Sequence, residues 1–352
     1  MILFIFRRDL RLKDNTGLIN AIKKAESTNT KVICSFIFTP MQINNNDYKS
    51  NNSIQFMVES LKELDAELKK LGTKLHLFYG KNEDVINDII NNYDINEVFV
   101  NMDYTPFSKS RDNKIKDICD KNGVIFNSYE DTLLFDVEKI KSNEGNNYTI
   151  FGFYQKKAFS ILNEIDKPKD INKNKKLYES ISGIEKYNTT FDFISKFYEY
   201  NNELALVPGR KAGLNILKNI NDFKNYSNTR NDPNLPTTML SAHNKFGTIS
   251  IREVFHSILK KLGKNHQLIS QLIWRDFYYN IAYYKPEVFG NNFNNIYPNI
   301  KWKYNENQFN KWCTGETGFP FVDAGMRQLN KTGWMHNRLR MVVAQFLTEN
   351  LG

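Results

Sequence analysis

The sequence contains little cysteine, no long apolar run and no glycine-rich nucleotide loop, and each absence excludes a class of protein. The three cysteines, at positions 34, 119 and 313, fit neither a disulfide framework nor a metal-binding spacing. We therefore predict a reducing intracellular compartment and no metal site. No segment approaches the length of a membrane span, and the apolar opening "MILFIF" is too short for a signal peptide. Because no G-x-G-x-x-G pattern follows that opening, a standard dinucleotide site is not predicted.

What is present is a long chain with an uneven distribution of charge. The 352 residues, of which 41% are hydrophobic, can bury a large core and are expected to form two domains. The net charge of +9 lies entirely in residues 201–352, which hold 19 lysines and arginines against 10 aspartates and glutamates. The first 200 residues hold 29 of each sign and balance to zero. This confined basic excess predicts a surface that binds a polyanion.

The first part of the chain alternates short apolar runs with amphipathic segments. Four apolar runs are interpreted as buried parallel strands: ILFIF, KVICSFIF, KLHLFYG and EVFVN. The intervening segments predict helices over residues 17–26, 53–71, 82–92 and 108–122. Ser53 is the expected N-cap of the second helix, and Gly72 its expected end. This βαβ series predicts a doubly wound α/β domain with a parallel sheet.

The later part of the chain shows a helical pattern with polar loops. The predicted helices cover residues 209–221, 250–263, 265–284, 306–313, 320–332 and 333–349. We predict an α/β N-terminal domain over residues 1–135, an interdomain connection over residues 136–202 and an all-α domain over residues 203–352.

Two of these helices each carry aromatic, amide and arginine side chains on one face. Residues spaced i, i+3, i+4 and i+7 share a helix face. This spacing is met by Gln271, Trp274, Arg275 and Tyr278, and again by Trp334, Asn337, Arg338 and Met341. On the last helix a second, apolar stripe should face the core; it comprises Met335, Leu339, Val342 and Phe346. One such helix alone indicates only surface packing, but two favour a shared site for a nucleotide, a flavin or nucleic acid.

Several longer motifs make the chain resemble the photolyase/cryptochrome family over essentially its whole length. In order, they are FRRDLRLKDN (6–15), NMDYTPFSKSRD (101–112), TTMLSAHNKFGTIS (237–250), QLIWRDFYYNI (271–281) and CTGETGFPFVDAGMRQLNKTGWMHNRLRM (313–341). Within the family, the stretch WMHNRLRM is most similar to the bacterial-type (class I) cyclobutane pyrimidine dimer photolyases. The resemblance implies an α/β antenna-type domain followed by a helical domain that binds FAD and UV-damaged DNA.

The resemblance also implies roles for particular residues. The expected FAD-binding residues are Tyr226, Thr237, Thr238, Met239, Leu240, Ser241, Arg275 and Arg340. The expected DNA-binding residues are Arg230, Gln271, Trp274, Arg275, Tyr278, Asn337 and Arg338. Among these, Gln271 and Asn337 are expected to touch the lesion itself. Trp302 matches the outer tryptophan of the family's photoreduction chain.

Three departures from the family pattern leave alternatives open. Many dimer photolyases carry Glu where this chain has Gln271, so the lesion class (cyclobutane dimer or 6-4 product) stays open. The segment YTIFGFYQKKA (148–158) lacks the usual Thr-Pro pair, so a second, antenna chromophore is expected without a fixed identity. Family members also continue past "FLTENL" into a segment that completes the flavin pocket. A complementing second polypeptide and a truncated remnant are the two explanations.

The expected activity is that of a deoxyribodipyrimidine photo-lyase, a carbon–carbon lyase that splits pyrimidine dimers by light-driven electron transfer from reduced FAD. It is expected in full only if the missing segment is supplied. The alternatives are a cryptochrome-like blue-light receptor without repair activity and an inactive remnant that binds DNA through charge alone.

Overall fold

A five-stranded parallel sheet forms the first part of the molecule. The computed structural model describes residues 1–44, 46–182, 185–291, 293 and 301–351. The strands are β1 (Ile2–Phe6), β2 (Val32–Phe38), β3 (His76–Tyr79), β4 (Glu97–Asn101) and β5 (Ile125–Tyr129). They lie in the order β3-β2-β1-β4-β5, and every pair is parallel. This order is that of a doubly wound α/β fold, as predicted.

The central strands form where the sequence is mostly apolar, with Ser35 in β2 and Glu97 and Asn101 at the ends of β4 as the polar exceptions. All residues of β1, β2 and β4 are buried, since helices cover both faces of the sheet. The edge strand β5 escaped prediction because its sequence, IFNSY, is half-exposed and has no apolar run. Ile125 at its start is 55% exposed. Its existence depends on pairing with β4 and not on its own pattern.

The helices of the sheet domain are α1 (Thr16–Ser27), α2 (Pro40–Ile43), α3 (Asn51–Lys70), α4 (Asn82–Asn92) and α5 (Pro106–Lys121). The short helix α2 was not predicted, and the other four agree with the predicted ones to within about two residues at each end. The predicted N-cap of α3 is wrong: Ser50, and not Ser53, caps it, because the Ser50 hydroxyl accepts from the Ser53 N–H. Gly72 follows the helix with a φ of 79°, in the left-handed region expected at a helix end.

The remainder of the described chain is helical. Its helices are α6 (Phe151–Ser160), α7 (Phe191–Ser195), α8 (Arg210–Lys218), α9 (Tyr226–Thr229), α10 (Ser241–Phe246), α11 (Ile251–Leu262), α12 (Gln267–Tyr284), α13 (Glu306–Thr314), α14 (Pro320–Thr332) and α15 (Asn337–Gln345). A π-helical turn, Phe346–Asn350, extends α15. The fold class predicted from the sequence is confirmed.

The last predicted helix begins four residues later than expected. Gly333, with a φ of 69°, ends α14, and His336 then caps α15 by accepting from the Arg338 N–H. Trp334 therefore precedes the helix and does not share its face. The apolar stripe is largely as predicted, since Met335, Leu339 and Phe346 are buried.

Residues 136–202 pack on both parts of the molecule. Ile171, Leu177 and Ile194 join the core around β1 and β2, whereas Tyr154 and Leu162 join the core around α11 and α12. The segment is thus held in place along most of its length. The domain boundaries themselves stay predictions of the sequence.

A buried ionic cluster ties the sheet domain to the helical part. Arg11 lies 2.5 Å from Asp131, and both side chains are 2% exposed. Arg252, from α11, lies 2.7 Å from Asp131 and 2.8 Å from Asp14. Asp131 also accepts hydrogen bonds from the backbone and hydroxyl of Thr16 at the start of α1. The cluster joins three segments that are distant in sequence: residues 11–16, Asp131 and the start of α11.

In the part of the chain that the structure describes, every helix is too short or too polar to span a bilayer. Likewise, no three His, Cys, Asp or Glu side chains of these residues gather into a group that could hold a metal ion.

Candidate active site

A cleft of about 800 Å³ opens between α9, the loop before α10, α12 and α15. It gathers all the residues predicted for FAD and DNA except Arg275. Its lining comprises Tyr226, Arg230, Asn231, Thr237, Thr238, Met239, Leu240, Ser241, Gln271, Trp274, Tyr278, Trp334, Met335, Asn337, Arg338, Arg340 and Met341. Segments that are far apart in sequence thus meet in one site.

One wall of the cleft is the loop that leads into α10. Three hydroxyl side chains, those of Thr237, Thr238 and Ser241, lie along it. Met239 between them has a φ of 53°, an uncommon left-handed conformation for a residue other than glycine. Such strain is held only where the surroundings impose it, and buried Leu240 anchors the loop. The loop presents short donors and acceptors suited to phosphate and ribose oxygens.

The opposite wall belongs to α12. Gln271, Trp274 and Tyr278 follow the helical spacing predicted for them, and all three line the cleft. The ring of Tyr278 stacks on that of Trp274 with a centroid distance of 5.6 Å and an angle of 24°. Tyr278 is 63% exposed, so this wall offers a flat aromatic surface beside an amide group.

The third wall comes from the start of α15 and the residues before it. Trp334 reaches the cleft although it lies outside the helix, because the Gly333 turn brings it alongside Asn337 and Arg338. The Arg338 guanidinium donates to the Asn231 side chain across the cleft. The Arg340 guanidinium donates to the Met335 carbonyl at 2.9 Å. Two further cations therefore face the same space as the hydroxyl loop.

Arg275, predicted to contact flavin phosphates and DNA, does not line this cleft. Its guanidinium donates to the Thr132 carbonyl at 2.8 Å and lies over the Tyr279 ring at 4.9 Å. Neighbouring Asp276 is fully buried and accepts from the Leu134 N–H at 2.7 Å, which fixes this face of α12 against the sheet domain. Burial raises the pKa of Asp276 to about 7, although Arg275 opposes the shift. Arg275 joins the two parts of the molecule in this structure, and its role at the flavin phosphates and DNA stays a prediction.

Trp302 also lies outside the cleft. It is 60% exposed and lines a separate apolar groove of about 280 Å³. The other groove residues include Tyr304, Phe309, Leu347 and Leu351. In this structure Trp302 therefore lines the separate groove and has no direct role at the main cleft.

A second cleft, which the sequence did not reveal, lies in the sheet domain. It has a volume of about 290 Å³ and borders the ends of β1 and β2, near the point where the strand order reverses. Open α/β sheets commonly bind ligands there.

The second cleft has a cationic lining, which comprises Arg7, Arg8, Lys49, Arg111 and Lys245. Burial, with help from Arg8, lowers the pKa of Lys245 to about 8. Lys245 comes from α10, so both parts of the molecule contribute.

The main cleft is of the class that takes a ligand with a planar ring and phosphate groups, since hydrogen-bond donors and cations face an aromatic wall.

Comparisons with known proteins point to the same class of ligand. Residues 2–172 match the family model described as DNA photolyase, and residues 268–352 match the FAD binding domain of DNA photolyase. The deoxyribodipyrimidine photo-lyase of Buchnera aphidicola (from Acyrthosiphon pisum) is 34% identical, over 98% of this chain and 73% of its own length.

Solved structures extend the likeness to the fold. The archaeal photolyase of Sulfolobus tokodaii, described with two FAD molecules, has a TM-score of 0.83 and 38% identity over 98% of this chain and 74% of that one. The Synechocystis cryptochrome has a TM-score of 0.86 and 25% identity over 100% of this chain and 75% of that one. The chain belongs to the photolyase/cryptochrome family. It carries that family's FAD-binding domain, as predicted, while its place in the class I branch stays a prediction.

Proposed function

We propose that this protein repairs pyrimidine dimers in UV-damaged DNA, with FAD held in the main cleft. The observation that carries the proposal is the cleft itself, in which a hydroxyl-rich loop and Arg340 face Trp274, Tyr278 and Gln271. The donor set fits FAD, because the loop suits its phosphates and ribose and the aromatic wall suits a planar ring. When bound in its reduced form, FAD supplies the light absorption and the electron that opens the dimer and then returns.

The chain's own residues bind and orient the two ligands. On this proposal, Thr237, Thr238 and Ser241 donate to the flavin's phosphate and ribose oxygens. Arg340 adds a fixed positive charge on the same side. These groups are in place before the ligand arrives, since the loop is anchored by buried Leu240. Preorganised donors of this kind bind without a further ordering cost.

The other side of the cleft receives the damaged bases. A dimer must leave the DNA stack to reach the cleft, and an aromatic wall offsets the stacking that it loses. Photolyases are one of the cases for which this base extrusion is generally described. Trp274 and Tyr278 provide the wall, while Gln271 and Asn337 hydrogen-bond the base edges. Because Gln271 carries no ionisable group, it orients the lesion and transfers no proton.

Phosphate contacts are assigned to Arg230 and Arg338 at the rim of the cleft. We predict that Arg230→Ala and Arg338→Ala each lower the slope of log affinity against log salt by about 0.9 on duplex DNA, since each removes one phosphate contact. Equilibrium binding over a series of salt concentrations measures the slope. Lys116→Ala is the matched control: it removes an exposed charge on α5, outside the cleft, and should leave the slope unchanged. Unaltered slopes in both arginine variants would remove these residues from the interface.

The second cleft is proposed as the site of an antenna chromophore. Its arginines and Lys245 suit an anionic ring system or a phosphate-bearing one. The Sulfolobus tokodaii photolyase structure, which contains two FAD molecules, is described as implying a novel light-harvesting cofactor.

We further propose that a family-type C-terminal segment covers the main cleft, either as a continuation of this chain or as a second polypeptide. The relatives are longer, since this chain spans about three quarters of their length. Exposed Phe319 and Met341, together with the apolar groove at Trp302, are surfaces that such a segment would bury. Exposed apolar patches of this kind commonly mark interaction sites.

The 352-residue polypeptide alone is expected to lose FAD on purification and to retain it when a family-derived C-terminal segment is co-expressed. An open cleft leaves the flavin ring in water and forgoes about 25 cal/mol per Å² of apolar burial. Visible flavin absorbance of the purified protein measures retention, and loss of dimers under blue light measures repair. A Thr237→Val, Thr238→Val double variant should lower retention in the complemented protein.

The outcomes separate the candidate functions. Retention of stoichiometric FAD by the chain alone would contradict the need for a covering segment. Flavin binding without dimer loss would favour a blue-light receptor, the function suggested by the similarity to the Synechocystis cryptochrome. If no flavin is held with either a family-derived or a natively encoded segment, an inactive remnant is the better explanation.

A further inference from the structure

The segment YTIFGFYQKKA, which departs from the family's usual antenna motif, lies behind the main cleft in this structure. It forms the start of α6, and Phe151 stacks face to face on Trp274 with a centroid distance of 3.4 Å and an angle of 10°. Phe151 does not line the cleft, whereas Trp274 and Tyr278 do. Phe151 therefore packs on the indole from outside the set of residues that line the cleft.

The contact is rigid because α6 is fixed on α12 at further points. Tyr154, one turn along from Phe151, is buried and packs edge-on against Phe277. The Gln155 side chain donates to the Ser270 hydroxyl at 3.0 Å. A ring held this firmly restricts the rotamers open to the indole that it covers.

We propose that Phe151 is a positioning residue for recognition of the damaged base, an inference that rests on the repair function proposed above. Phe151 holds the Trp274 indole so that its other side, next to Tyr278, faces the cleft. A base extruded from DNA then meets a wall that is already oriented. Without Phe151 the indole turns into the vacated space, and the wall must be ordered again each time a lesion binds.

A role in packing alone has a different signature. If Phe151 only filled the core around α12, its loss would lower the free energy of unfolding and would weaken binding to damaged and intact DNA equally. A positioning role lowers the preference for damaged over intact DNA and leaves the affinity for intact DNA nearly unchanged. The ratio of the two dissociation constants therefore distinguishes the roles.

The test compares Phe151→Leu, Phe151→Tyr and Phe153→Leu in the protein form that binds DNA, either the chain alone or the complemented chain. Phe153 is the matched control because it lies on the same helix but is 61% exposed and outside the cleft. Dissociation constants for a duplex with one cyclobutane dimer and for the same intact duplex are measured at one salt concentration. Thermal unfolding of each variant is measured in parallel.

We expect Phe151→Leu to reduce the preference for damaged DNA about three- to tenfold, the range for losing one aromatic stacking pair. Phe151→Tyr should keep the preference for damaged DNA, because the aromatic ring is retained. Phe153→Leu should show the same preference as the unaltered protein. A Phe151→Leu protein that keeps its full preference, or that loses affinity for both duplexes alike, overturns the positioning role. If the unaltered protein itself shows no preference, the proposed repair function fails, and the positioning role fails with it.

Discussion

Replacing Asp131 with asparagine should lower the free energy of unfolding by about 3–5 kcal/mol at neutral pH, the range for breaking a buried ion pair from one side. The carboxylate is 2% exposed and is bound by both Arg11 and Arg252. Asparagine is of similar size but leaves the buried Arg11 guanidinium without its carboxylate partner and leaves Arg252 paired with Asp14 alone. Since Arg252 comes from the helical part and Arg11 from the sheet domain, the loss should loosen the joint between them. Denaturant unfolding measures the change.

The loss of unfolding free energy in Asp131→Asn should depend on pH, and the pKa of Asp131 sets the direction. Burial by itself would raise the pKa of Asp131, but the charges of Arg11 and Arg252 outweigh burial and hold that pKa well below its usual range. A depressed pKa means that the carboxylate stabilises the fold above its unfolded-state pKa of about 3.9 and loses this contribution as pH falls. The difference in free energy of unfolding between the original protein and Asp131→Asn should therefore have its full value at pH 7 and should decrease below about pH 4.

Asp166→Asn is the matched control for this prediction. Asp166 also pairs with a cation, Lys169, but both side chains are largely exposed. Exposed pairs of this kind contribute about 0–1 kcal/mol, so the control should be nearly neutral. Equal losses for the two variants, or a gap that widens in acid, would contradict the role assigned to the buried cluster.

Trp274→Ala should reduce the preference for dimer-containing over intact DNA by about 1–3 kcal/mol, or roughly five- to 150-fold. Alanine removes the stacking surface next to Tyr278 and removes no charge. The slope of log affinity against log salt should therefore stay as it is, because no phosphate contact is lost. Binding of both duplexes over a salt series measures the preference and the slope in one experiment.

Trp302→Ala is the matched control, because it also removes a tryptophan but from outside the main cleft. Trp302 is exposed and lines the separate apolar groove, so in the chain without the covering segment its loss should leave the DNA preference unchanged. A preference that falls equally in both variants would indicate a general effect on the helical part. A preference that survives Trp274→Ala would mean that the lesion is held elsewhere.

The sequence by itself determined the features that follow from local pattern. The runs that become β1, β2 and β4 are mostly apolar, and runs of this kind are typical of strands that are buried on both faces. The spacing of Gln271, Trp274 and Tyr278 needed only a helix to put them on one face. The basic excess in residues 201–352 is likewise a property of composition.

Only the tertiary structure decided where several of these side chains point. Arg275 has the helical spacing of a cleft residue. Its guanidinium instead donates to the Thr132 carbonyl, which is 143 residues away in sequence and lies where the two parts of the molecule meet. Strand β5 exists because β4 pairs with it, and the second cleft exists because Lys245 meets the carboxyl ends of distant strands. Phe151 acquires its position behind Trp274 only when α6 docks on α12. Periodicity fixes which residues of one element share a face, whereas contacts across long stretches of chain fix what that face meets.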